Sequence, residues 1–219
     1  MKSIDCFRIV LILMSLAIAG CATSVRISQS ELRQMHELKI VRFPTPIITK
    51  STWTNSMIRT AAMFSGNPVA RENYREAIKS NPTIYNDPVV LPEKVLDFGE
   101  VLSVTIKNNF LDGVLDSTVV VDKKPIVSIE QLPSQNFFVI QYEKFVVSGA
   151  GELVAVVRFK IIDRQGKLRF ETVGVYNGLF ESHGDDFEKR LSKGASFVEE
   201  EYTYAANKIT RDLMEEIDK

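Results

Sequence analysis

The chain has 219 residues, with 27 lysines and arginines against 28 aspartates and glutamates and a hydrophobic share of 45%. That length and apolar content suit one ordinary domain with elaborations, and the near-neutral charge argues against a nucleic-acid partner. Both cysteines lie within the first 21 residues, so the rest of the chain forms no disulfide, thiol nucleophile or cysteine zinc site.

At the amino end, Lys2 and Arg8 flank a short charged region, and the apolar run 9–19 is too short to cross a bilayer comfortably. Residues 1–20 therefore read as a secretory signal. Small side chains lead up to Cys21, as a signal peptidase needs beside the scissile bond. The residues Ile18, Ala19, Gly20 and Cys21 resemble the lipobox of bacterial lipoproteins. The resemblance implies cleavage before Cys21, a diacylglyceryl thioether on its sulfur and an amide-linked acyl chain on its nitrogen, with no other cofactor. Each buried methylene contributes about 0.8 kcal/mol, so such an anchor is effectively permanent. Ala22 stands where lipoproteins kept in the inner membrane carry aspartate, which implies the periplasmic face of the outer membrane. The alternatives are an uncleaved anchor helix or an ordinary secretory signal, with Cys21 an incidental thiol. Loss of Lys2, Asp5 and Arg8 with the signal leaves 25 basic residues against 27 acidic ones.

Residues 21–35, rich in serine and glutamine, read as a lipidated tether, and 36–219 as a single periplasmic domain. Leu38 and Ile40 alternate with Lys39 and Arg42, which predicts a strand over 37–43 ended by Pro44 and Pro46. In 52–80, Trp53, Met57, Ala61 and Phe64 share one face and Gly66, Asn67, Pro68 restart a second helix, which predicts a helical insertion. After a proline-rich loop, Pro92 is expected in the first turn of a central helix that buries Val95, Phe98, Leu102 and Ile106. The period then falls to two, predicting strands over 117–121, 126–130, 137–147, 152–163 and 167–176. Gly149 and Gly151, then Gly166, supply turn chemistry between the last three. Ser196 and Glu199 read as a capping box opening a closing helix, whose stripe is Val198, Tyr202, Ala205, Ile209, Leu213 and Ile217. The expected fold class is α+β: an antiparallel β-meander packed against a central helix and a long C-terminal helix, with a helical insertion.

This order of elements over about 92–217, with Asp163, Arg164, Gln165, Gly166 and Lys167 in the hairpin and Ala205, Ala206 and Ile209 in the last helix, resembles the auxiliary lipoproteins of ABC-type lipid transport systems. The outline also fits the curli-secretion and penicillin-binding-protein-activator types of outer-membrane lipoprotein. The 52–80 insertion departs from all three patterns, and no functional residue carries over.

For catalysis the chain offers two histidines, no nucleophile elbow and no phosphate-binding glycine loop. Glu181, His183, Asp185 and Asp186 around Gly184 could hold a divalent cation, although a solvated turn explains the same residues. His36 is expected to be exposed. Trp53, Met57, Met63 and Phe64 suit a partner anchor, against the alternative that they pack into their own domain. The expectation is a non-enzymatic binding or adaptor lipoprotein of an envelope assembly or transport system. It would be held to the membrane by its lipid, work with an envelope protein partner and bind no nucleic acid. The rival readings are an envelope hydrolase with a site near His183, and a lipid carrier with an apolar cavity between sheet and helices.

Overall fold

The computed structural model describes residues 26–51, 86–115, 119–130, 134–148, 150–179 and 186–217. The insertion 52–80, with Trp53, Met57, Met63 and Phe64, lies outside them, as do Cys21, Glu181, His183 and Asp185.

The longest alternating stretches of sequence form the sheet's centre. Strands β5 (Phe137–Val147), β6 (Leu153–Ile162) and β7 (Leu168–Asn177) make an antiparallel meander. Its turns place Gly151 at φ 83° and Gly166 at φ 76°, backbone that any side chain would strain. On the other edge of β5 lie two short parallel strands, one after the other. Strand β1 (Leu38–Arg42) pairs with residues 137–140, and β2 (Thr49–Ser51) pairs with Val146 and Val147. Between the Arg42–Ile140 and Thr49–Val146 partners the chain advances seven residues against six on β5, the intervening Pro44 and Pro46 having no amide hydrogen to give a ladder. Beyond these, β3 (Asn86–Pro88) runs antiparallel to β2, and β4 (Val119–Val121) runs parallel to β1. The sheet is thus mixed and seven-stranded. The fold class is α+β, as expected, but β4 is not part of the meander.

Helices α2 (Phe98–Ile106) and α4 (Ala195–Ile217) cover one face. Leu153, Ala155, Val157, Phe159 and Ile161 point beneath them, all fully buried, while their neighbours on β6 stay half-buried. Every residue of the predicted α4 stripe is buried. Phe98 stacks on Phe145 at 4.8 Å and meets Tyr202 edge-on at 5.3 Å. Burying each side chain of this size contributes about 1.5–3 kcal/mol, so this layer carries most of the stability. Gly174 lets α4 come close to β7, since a Cβ there would fall 2.8 Å from Ile209 Cγ2 and 2.9 Å from Phe159 Cε2. The opposite face has a smaller cluster of Val41, Phe137 and Val139, covered by Ile126 and Ile129 from a loop.

Four expectations are corrected. Residues 27–35 are no free tether: helix α1 (Gln29–Arg33) is opened by a Ser28–Glu31 capping box, and Ile27, Leu32 and Met35 enter the core. The central helix begins at Phe98, and Pro92 stays in the loop before it instead of entering the first turn. Asp97 sets this start by accepting from the Glu100 amide at 3.0 Å, while Lys94 turns the chain at φ 66° and Val95 packs on the core from the loop. Residues 126–130 form no strand, since Ile126 and Ile129 face inward at a spacing of three and Val127 is 78% exposed. Ser196 and Glu199 form no capping box: α4 opens at Ala195, and Glu199 Oε1 instead accepts from the Leu96 amide at 3.1 Å.

Candidate partner-binding surface

Two polar knots sit beside the core. In one, Asp97 Oδ1 accepts from the Glu100 amide and from Thr45 Oγ1 at 3.1 Å, and lies 3.5 Å from Arg42 Nε. Arg42 is buried and donates to the carbonyls of Asp122 and Lys123 at 3.3 and 3.1 Å. Burial pushes the Tyr142 hydroxyl well above the ordinary tyrosine range. Gly99 is needed here, because a Cβ would fall 2.5 Å from that hydroxyl. In the other knot, Glu201 on α4 is 3% exposed, accepts from the Tyr176 hydroxyl at 2.5 Å and pairs with Arg190 Nε at 3.3 Å. Burial, then the bond to Glu201, raises the Tyr176 pKa. Both knots tie helices to the sheet. The second escapes sequence reasoning, though Glu201 stands three residues after Val198 and four before Ala205, on the margin of the buried stripe.

Of the predicted cation ligands, Asp186 is the one within the described residues. It caps α3 (Phe187–Lys193), accepting from the Lys189 amide at 2.8 Å. Among the described residues no group of three or more histidine, cysteine or acidic side chains could hold a metal ion, and no helix is long and apolar enough to cross a membrane. His36 is exposed, as expected, on a cleft of about 450 Å³ shared with Glu37 and Arg164.

The ends of the domain differ in chemistry. At the end where residue 27 enters, Arg169 pairs with Glu31 at 3.3 Å, and Asn136 bridges the Glu37 carbonyl and the Arg164 amide at 3.0 Å each. At the other end, the Glu188 amide donates to the Gly151 carbonyl at 3.1 Å, and Lys50 pairs with Glu188. Val175, Leu179 and Phe197 are exposed towards this far end, whereas Val120 is exposed on β4 beside Lys39 at the other. Strand β2, paired with Val146 and Val147, and β3 beside it lie there too.

Strand β7 pairs with β6 alone. From Leu168 to Val175 its outer edge has no backbone partner among the described residues. Proteins blunt such edges with charge, proline or bulges. Here Arg169 is drawn to Glu31, and Glu171 is held by Arg158 at 2.7 Å. Thr172, Val173, Gly174 and Val175 then present an uncharged, proline-free edge, suited to the addition of an extended strand.

No family model and no curated protein matches the sequence. Among solved structures, the chain is similar to a Xanthomonas campestris protein described under the family label DUF330, at 10% identity, 88% of this chain, 85% of that chain and a TM-score of 0.43. A second structure, described as an uncharacterized protein, is 13% identical over 82% of this chain and 93% of that one, with a TM-score of 0.38.

Proposed function

We propose that the chain is a lipid-anchored adaptor of the bacterial cell envelope, held by Cys21 at the periplasmic face of the outer membrane and acting by binding rather than catalysis. The observation that carries this reading is the open β7 edge, uncharged from Thr172 to Val175 and bordered by the exposed Val175 and Leu179. An extended segment of an envelope protein would add to this edge through main-chain hydrogen bonds, with alternate side chains supplying selectivity. Tethering raises the local concentration of that surface at the membrane. The layer in which a lipid carrier would hold an acyl chain is filled by Phe98, Phe138, Phe159 and Tyr202, all nearly inaccessible.

The test is a photo-crosslinking residue at Val173 in the acylated protein within intact envelopes, with the exposed Asp112 as the control position. A defined protein adduct at 173 that is absent at 112 and lost in Cys21→Ala supports the adaptor. Equal labelling at both positions, or none at 173, overturns it.

A further inference from the structure

We infer that the end of the domain carrying α1, the β6–β7 turn and the last turn of α4 rests against a phospholipid headgroup surface. This rests on the anchor at Cys21 and adds an orientation to it. Ile27 is 4% exposed and Leu32 fully buried, the Ser28–Glu31 capping box fixes the start of α1, and the Glu31–Arg169 pair ties it to β7. From Cys21 to Ile27 there are six residue steps, which span about 20 Å when fully extended. The lipid therefore keeps this end of the molecule within about 20 Å of the bilayer surface.

The chemistry of this end suits that neighbour. Arg26, Arg33, Arg164 and Lys167 are exposed, with long side chains that reach phosphate groups while their stems stay on the protein. Glu37 and Glu215 are exposed beside them, and Asp163 is turned inward to accept from the Gln165 and Lys167 amides. A mixed-charge end matches zwitterionic headgroups, which carry both signs. Among the described residues, none of the exposed large apolar side chains belongs to α1, the β6–β7 turn or the last turn of α4, so the surface that these elements offer to lipid is polar and lies on the membrane without inserting. The open β7 edge then runs away from the membrane, from Leu168 towards Val175.

The mature chain has no cysteine besides Cys21, so a new thiol is labelled uniquely once Cys21 is acylated. The acylated protein carrying Gln165→Cys or Val90→Cys is labelled with a fluorophore and placed in phosphatidylethanolamine–phosphatidylglycerol vesicles containing a headgroup-attached quencher. The expected result is several-fold stronger quenching at 165 than at 90. Equal or reversed quenching in protein whose intact mass shows the acyl chains overturns the orientation and leaves the anchor standing. A mature protein whose mass shows no acyl chain, and which does not float with the vesicles, overturns the anchor and the orientation together.

Discussion

At the residue scale, the buried carboxylate of Glu201 depends on its neighbours. Removing one partner of a buried ion pair strands the other charge, which costs about 3 kcal/mol. Arg190→Ala should therefore lower stability in denaturant unfolding by about that much, with part recovered when Glu201→Leu is added. Glu171 gives a pH dependence. The hydrogen bond from Arg158 holds its carboxyl below the ordinary 4.5. A carboxyl depressed in the folded state contributes stability above its unfolded value and loses it as pH falls through the folded one. Arg158→Met should flatten the fall in stability below pH 4.5, measured as unfolding midpoints from pH 6 to about pH 3.

At the scale of elements, α2 is started by a single side chain. Asp97→Ala removes the cap on the Glu100 amide along with the contacts to Thr45 and Arg42, and should cost about 1–2 kcal/mol. An edge strand tolerates charge if nothing is added to it. Val175 is 50% exposed, so Val175→Lys should leave the free energy of unfolding within about 0.5 kcal/mol of wild type while abolishing the crosslink from Val173. Strands β5, β6 and β7 are legible in the sequence within a residue or two, because long alternation has one reading when a single face is buried. Residues 126–130 are not, because a short apolar run does not distinguish a strand from a loop whose isoleucines cap a second cluster.

At the scale of the whole molecule, the core supplies stability without the lipid. Cys21→Ala, produced without its signal, should give the same circular dichroism spectrum and unfolding midpoint as the acylated protein in detergent, while losing flotation with vesicles. The order of the meander strands and closing helix, the α4 stripe and the glycine turns followed from the sequence, because propensity and periodicity are local. Three features were decided only by tertiary structure: the parallel placement of β1 and β2 along one edge of β5, the docking of α1 into the core, and the meeting of Tyr176, Glu201 and Arg190. Each joins residues far apart in the chain, and no local pattern encodes which buried edge or charge will be the partner.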